Sequence, residues 1–211
     1  MTDAPPDAEP STTWGPAKLL ALGTALAFLV GAVGYVVGVR TAPDPHALDA
    51  VDEGFLVDMT AHHEQAVEMA LLELAYGSDE VARDFAQEVV MTQRREIGIM
   101  ETLLRTGEGR YPEPDPERTA MAWMDMATPL SVMPGMASPE QVASLAARGT
   151  EADVQFLELM RAHHEGGIHM GEYAEANGSN ADVRALAGRM ARNQAIEVRE
   201  YTQLLERLGY E

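Results

Sequence analysis

The sequence predicts an all-α protein in which a four-helix bundle follows one transmembrane helix. Three observations carry this prediction. An uncharged run of 21 residues lies near the N-terminus, a stretch of 50 positions recurs at a constant offset of 101, and a Gly-Ser pair interrupts each copy near its middle. A duplicated pair of amphipathic helices buries its apolar faces by packing as a bundle of four.

The first 40 residues divide into a polar tail and an apolar helix. Residues 1–16 contain four Pro and three acids, which predicts a disordered tail. Residues 17–40 contain the uncharged run, Leu19–Val39, between Lys18 and Arg40. A helix of this length spans the ~30 Å hydrocarbon core of a bilayer, so we expect an anchor in the lipid bilayer. A secretory signal peptide is the alternative, although its charged start and small-residue cleavage site are poorly matched.

The charge of the remaining chain bears on its location. Residues 41–211 carry 31 acids and 13 bases, and Lys18 and Arg40 balance each other across the apolar run. We therefore expect a single-pass cell-membrane protein whose C-terminal domain, residues 41–211, is extracytoplasmic. Gly34 and Gly38 fit the small-xxx-small pattern of helix dimers, which adds a homodimer or a membrane-complex partner to the expectations.

Composition excludes several classes of function. The net charge of −19 excludes nucleic acid as a partner, because phosphate backbones require cationic surfaces. The lack of Cys excludes disulfides, thiolate nucleophiles and cysteine-based zinc sites. Neither a Ser-His-Asp order nor a phosphate-binding Gly loop is present, so the sequence favours a non-enzymatic role. An enzyme that uses a redox metal held in the bundle is the enzyme class that stays open.

The repeat defines the organisation of the domain. Phe55–Ser78 aligns with Phe156–Ser179, and the match continues without gaps to Leu104 and Leu205, with 17 identities in 50 positions. Each Gly-Ser pair is expected to end one helix and cap the next. We predict helices near 45–76, 79–106, 151–176 and 180–208. These helices define repeat one over 45–106, a connection over 107–137 and repeat two over 138–208. The connection contains Pro112, Pro114 and Pro116, which exclude a long helix there. Repeat two begins with a short helix at Ser138-Pro139-Glu140.

Each repeat places a Met-x-x-His-His cluster beside its apolar stripe. At 100° per residue, His62 and His63 flank the stripe, and Met59 lies between them one turn earlier. Glu64 points away from it. Hairpin geometry places Gln93 and Glu96 of the second helix level with this cluster. With the second repeat, the predicted metal-ligand set is Met59, His62, His63, Glu96, Met160, His163, His164 and Glu197, with Gln93 and Gln194 in support.

Two interpretations of this polar layer stay open. Burying an imidazole or a carboxylate is costly unless it is hydrogen-bonded or binds a metal. A Glu–His hydrogen-bond network that fixes helix register satisfies this requirement without a metal. Two His-His pairs, each with a Met and a facing Glu, favour a metal ion as the partner. Imidazole with thioether favours copper, especially Cu(I), whereas imidazole with carboxylate also suits zinc or iron.

The connection is rich in thioethers. One interpretation is ordinary packing of a loop across the bundle. The other is a soft-metal loop that captures Cu(I). The five residues concerned are Met121, Met124, Met126, Met133 and Met136.

Several of these motifs resemble one family. The chain is similar over roughly residues 50–208 to the bacterial family catalogued as domain of unknown function 305, within the ferritin-like group. The resemblance implies an all-α, ferritin-like bundle, usually exported or membrane-anchored, and some members bind copper. Gly167 stands where the family has Ala, and the Glu-x-x-His pair of di-iron enzymes is absent, which argues against di-iron chemistry. The motifs that carry the resemblance are Met59-Thr-Ala-His62-His63-Glu, Gln93-Arg-Arg-Glu96, Met133-Pro-Gly-Met136, Met160-Arg-Ala-His163-His164-Glu-Gly and Gln194-Ala-Ile-Glu197.

The leading hypothesis is a membrane-anchored extracytoplasmic metal-binding protein for copper sequestration, delivery or tolerance. The alternative is a structural or assembly module of a membrane complex, in which the His/Glu layer serves only to set the register of the helices.

Overall fold

The computed structural model describes residues 15–42, 44–112, 114–146 and 149–210. The predicted all-α bundle from a duplicated hairpin is confirmed. The helices are α1 Pro16–Thr41, α2 Ala50–Tyr76, α3 Glu80–Thr106, α4 Pro139–Ser144, α5 Thr150–Asn177 and α6 Ala181–Leu208. The connection also contains a two-residue antiparallel ladder that was not predicted, formed by β1 Thr119–Ala120 and β2 Thr128–Pro129.

The described part of the chain divides after Asp44 into two compact units. In the first unit, α1 is long and apolar enough to cross a membrane, and none of its residues is buried. A signal sequence near an N-terminus also satisfies these criteria of length and apolar composition. Residues 1–14 of the predicted tail lie outside the described residues, and Pro16 is the first residue of α1.

In the second unit, α2 and α3 form one antiparallel hairpin and α5 and α6 form the other, with α2 packed against α5. The helix α2 begins at Ala50, five residues after the predicted start. Asp49 caps it, because its carboxylate accepts from the N–H groups of Val51 and Asp52 while the Asp52 carboxylate accepts from the Asp49 N–H.

The hairpin turns differ from the prediction in one respect. The N-caps of α3 and α6 are Asp79 and Asn180, one residue after the predicted serines. Ser78 and Ser179 instead hydrogen-bond the carboxylates of Asp153 and Asp52 in the opposite repeat. The two hairpins are therefore joined at both ends of the α2–α5 pair.

The connection is fastened along α2. The carboxylate of Asp58 accepts hydrogen bonds from Arg118, from the Met121 N–H and from the Trp123 indole at 2.6–2.8 Å. Farther along α2, the Gln65 amide exchanges two hydrogen bonds with the backbone of Ala137. The predicted short helix, α4, follows with Ser138 as its N-cap. These contacts hold the Met133–Met136 segment near the middle of the bundle.

Candidate metal centre

Four histidines meet in the middle of the bundle, and we call them the histidine layer: His62, His63, His163 and His164. All four have no exposed surface. They lie at matching positions of α2 and α5, which pack against each other, so the repeat brings its two His-His pairs into one layer. His46 and His169 are exposed and lie outside it.

The inner pair of the layer is His62 and His163. Their rings stack with centroids 3.6 Å apart and an angle of 33° between the planes. No nitrogen of either ring makes a hydrogen bond of good distance and angle with the described residues. The Pro134 backbone lies close enough to the His62 ring, and the His62 backbone close enough to the His163 ring, to raise the pKa of each imidazole slightly against the effect of burial. Burying an imidazole without good hydrogen bonds is costly, and each neutral ring offers one lone pair, so the inner pair has two nitrogens at which a ligand would offset that cost.

The outer pair is held by carboxylates. His63 Nε2 lies 2.9 Å from Glu96 Oε2, and His164 Nε2 lies 2.5 Å from Glu197 Oε2. With an ionised carboxylate as acceptor, Nε2–H is the donor in both pairs. The Nδ1 atoms of both histidines have no partner among the described residues, and a neutral ring that donates through Nε2 has its lone pair on Nδ1. A carboxylate that fixes the tautomer of a histidine in this way is common behind metal ligands.

Burial keeps the inner pair neutral. It lowers the pKa of His62 well below the usual value, and the neighbouring His63 and His164 add to this effect. The pKa of His163 is lowered in the same way, first by burial and then by His62. Only a neutral imidazole can bind a metal, so the inner rings are in the ligand form at neutral pH.

The predicted thioether ligands are also buried. Met59 and Met160 have no exposed surface, and each lies one helical turn before its His-His pair. Of the connection residues, Met121, Met124 and Met133 are buried in the same apolar cluster as Met59. Met136 is half-buried and Met126 is 42% exposed. The connection therefore contributes three thioethers to the core and leaves one in solvent.

The connection covers the layer from the α2–α5 side. A Cβ at Gly135 would lie 2.8 Å from His62 Nε2 and 2.8 Å from the carbonyl oxygen of His163. Gly166 makes a similar approach to the carbonyl of Pro134. Both glycines lie in motifs noted in the sequence, yet their role in close packing was missed, since sequence periodicity does not report how near a loop approaches a helix.

The supporting glutamines lie on the α3–α6 side. Gln93 and Gln194 are buried, and the Oε1 atom of each has no hydrogen-bond partner among the described residues. A Cβ at Gly167 would overlap the Gln194 amide, which explains the glycine at this position. Tyr201 was not predicted to lie near the layer, yet its hydroxyl is 3.5 Å from His164 Nε2.

The donors of the layer are imidazole, carboxylate and amide groups. Among the described residues, no three His, Asp or Glu side chains are arranged as a metal-binding group, and this statement includes the four histidines of the layer. Imidazole nitrogen suits copper, zinc and iron, whereas thioether sulfur suits Cu(I). Met59 and Met160 are buried one turn before the histidines in sequence and pack in two different apolar clusters.

Comparisons with known proteins place the chain in a family. The model of the family described as domain of unknown function (DUF305) matches residues 52–205. The chain belongs to this family. No curated protein matches the sequence.

Three solved structures illustrate the similarity. A DUF305 protein of Streptomyces coelicolor is 34% identical, with 77% of this chain and 96% of that chain covered and a TM-score of 0.70. A DUF305 fragment from Deinococcus radiodurans is 28% identical, with 76% and 99% covered and a TM-score of 0.64. CopM in its Cu(I)-bound form shares the fold at 21% identity, with 74% and 96% covered and a TM-score of 0.56.

Proposed function

We propose that this DUF305 protein is a membrane-anchored extracytoplasmic copper-binding protein that sequesters or delivers copper. The observation that carries the proposal is the inner pair, His62 and His163, whose fully buried rings make no hydrogen bond of good geometry in the described chain. Copper would be the partner of the one lone-pair nitrogen that each neutral ring offers, since imidazole nitrogen is among its preferred ligands.

The proposed ligands follow from the free lone pairs. His62 and His163 are the central ligands, His63 and His164 offer Nδ1, and Met59 and Met160 offer thioether sulfur. Because imidazole binds a metal in the plane of its ring, an ion would lie at the ring edges and not between the stacked faces. Glu96 and Glu197 would hold the outer histidines from behind, and Gln93 and Gln194 would complete the layer. Zinc or iron is a weaker match to this set.

The choice of copper has support from a similar fold. CopM has been solved with Cu(I), Cu(II) and Ag bound. Cu(I) and Ag(I) are both soft ions, and soft ions prefer thioether ligands. The five thioethers of the connection would then serve as a route for Cu(I), with exposed Met126 and half-buried Met136 at its outer end.

The membrane part of the proposal concerns residues 17–40. We assign them to a retained anchor that holds the bundle, residues 41–211, at the outer face of the membrane. The exposed apolar surface of α1 supports this assignment, because lipid would cover it. Extraction of cell membranes with carbonate should leave the full chain in the membrane, whereas a cleaved signal sequence would release a shorter protein.

The test of copper binding is an anaerobic titration. The full chain in detergent competes for Cu(I) with a chromogenic chelator. The double variant His62→Ala/His163→Ala should bind Cu(I) too weakly to remove it from the chelator. The matched control, His46→Ala/His169→Ala, replaces two exposed histidines outside the layer and should bind as the wild type does. Equal affinities for the two variants would contradict the proposal, provided that circular dichroism shows both to be folded.

The alternative function has one observation in its favour. The hydrogen bonds from His63 to Glu96 and from His164 to Glu197 would fix helix register without any metal. An assembly module of this kind would leave the purified protein free of metal, and His62→Ala would change stability equally with and without copper. The unpaired inner rings favour copper binding over this alternative.

A further inference from the structure

A groove between α3 and α6 leads from the surface toward the histidine layer. Its volume is about 280 Å³, and residues of these two helices alone line it. Its charged lining consists of four carboxylates and one guanidinium, from Glu88, Glu96, Glu197, Glu200 and Arg95. We call it the acidic groove.

The acidic groove reaches the layer directly. Glu96 and Glu197 line it, and their side chains, 12% and 18% exposed, pair with the fully buried rings of His63 and His164. Gln93 and Gln194 also line it, are at least 96% buried, and each has an Oε1 atom with no hydrogen-bond partner among the described residues. Side chains with carboxylate or amide oxygens thus extend from the groove to the buried imidazoles.

Two of the acids that line the acidic groove have no acidic counterpart in the other repeat. The counterpart of Glu88 in the other repeat is Arg189, and the counterpart of Glu200 is Ile99. Glu88 and Glu200 therefore add negative charge at one end of the groove only, the end near Glu197. All three acids line the groove, and partial burial, followed by the charges of Glu197 and Glu200, raises the pKa of Glu88.

We infer that the acidic groove is a cation-binding entrance, in which carboxylate and amide oxygens hold a metal ion transiently before it reaches the histidine layer. The part of this inference that concerns delivery to the histidines rests on the proposed function, whereas cation binding in the groove does not. Clefts lined by one sign of charge concentrate counter-ions and speed their association. Oxygen ligands bind a hard cation such as Mn²⁺ without histidine or thioether.

The test uses Mn²⁺ and the full chain in detergent. Because Mn²⁺ is paramagnetic, it should broaden the side-chain amide signals of Gln93 and Gln194 in NMR spectra. The amides of Gln65 and Gln141, outside the groove, should stay sharp at the same concentration. Glu88→Gln/Glu200→Gln should require several-fold more Mn²⁺ for the same broadening. The control Glu158→Gln/Glu172→Gln removes the same charge from exposed positions of α5 and should behave as the wild type does.

A second measurement separates this inference from the proposed function. The rate of Cu(I) uptake should fall several-fold in Glu88→Gln/Glu200→Gln while the affinity is unchanged, because these residues are not proposed ligands. Sharp Gln93 and Gln194 signals in the presence of Mn²⁺, or equal broadening in both double variants, would overturn the inference even if copper binds. A third result would overturn the proposed function and leave this inference standing. In that result, the wild type binds no Cu(I), while Mn²⁺ still broadens the glutamine signals in His62→Ala/His163→Ala.

Discussion

Asp52 and Asp153 perform the same task for opposite hairpins. The Asp153 carboxylate accepts from the Ser78 N–H at 2.6 Å, the Ser78 hydroxyl at 2.8 Å and the Asp79 N–H at 3.1 Å. The Asp52 carboxylate accepts from the same three groups of the second turn, at Ser179 and Asn180, over 2.8–3.2 Å. Each repeat therefore holds the turn of the other, which fixes how far α2 and α5 overlap.

The first prediction concerns these carboxylates. Replacement of Asp52 or Asp153 by Ala leaves the donors of one turn unpaired, and hydrogen bonds to a charged group contribute more than neutral ones. We expect either variant to lower the free energy of unfolding by about 3 kcal/mol in urea denaturation. Asp84→Ala, which removes an exposed acid from α3, is the control. A loss no larger than that of the control would contradict this role.

The second prediction concerns the pH dependence of stability. Glu73 is fully buried, and burial followed by the neighbouring Asp153 carboxylate raises its pKa to about 8. The unfolded chain loses this proton near the usual value of 4.5, while the folded protein keeps it up to about pH 8. The stability associated with the neutral carboxyl is thus fully present below pH 4.5, decreases as pH rises, and is lost above about pH 8.

Glu73→Gln tests this dependence, since a neutral amide does not titrate. The variant should exceed the wild type in free energy of unfolding by a few kcal/mol at pH 8, because each pH unit between the unfolded and folded pKa values contributes on the order of 1.4 kcal/mol. The difference should shrink toward zero near pH 4. Glu68→Gln changes an exposed acid on the same helix and should leave the curve unaltered. Parallel curves for Glu73→Gln and the wild type would refute the assignment.

The third prediction concerns two pairs of glutamates near the histidines, one that contacts the outer histidines and one that is exposed. Glu96 and Glu197 hold the outer histidines, whereas Glu64 and Glu165, the residues that follow each His-His pair, are exposed. Loss of a carboxylate behind a ligating histidine typically weakens metal binding by about 10–100-fold. Glu96→Ala/Glu197→Ala should do so in the Cu(I) competition, and Glu64→Ala/Glu165→Ala should not. The same affinity in both would remove the outer histidines from the ligand set.

Sequence periodicity was sufficient to predict that these side chains share one core layer. The 3.6-residue repeat fixes the direction of His62 and His63, and the duplication fixes the matching pair. The equivalent roles of Asp52 and Asp153 could also have been predicted, because the two residues are related by the same offset of 101 and lie three residues before the matched segments. The stacking of His62 on His163 was not, since helical phase gives the direction of a side chain but not its rotamer. The two-residue strands likewise leave no alternation in the sequence.

The last prediction concerns the cover over the layer. Gly135 has φ +91°, and its Cα faces His62 Nε2 and the His163 carbonyl closely enough that a Cβ would lie 2.8 Å from each. Gly135→Ala therefore combines backbone strain with a steric clash, and we expect it to cost about 2–3 kcal/mol of unfolding free energy. Gly149→Ala is the matched control, because Gly149 has φ +83° but open space around its Cα. It should cost about 1 kcal/mol.

The two alanine variants should differ more in copper binding than in stability. Strain at Gly149 leaves the histidine layer untouched, so affinity for Cu(I) should stay at the wild-type value. A methyl group at position 135 must displace either the Met133–Met136 segment or the His62 ring, and both changes alter the site that the connection covers. A Cu(I) affinity reduced in Gly135→Ala alone would tie the cover to the site. Equal affinities in both variants, measured on folded protein, would place the copper ligands away from the ring edge that Gly135 approaches.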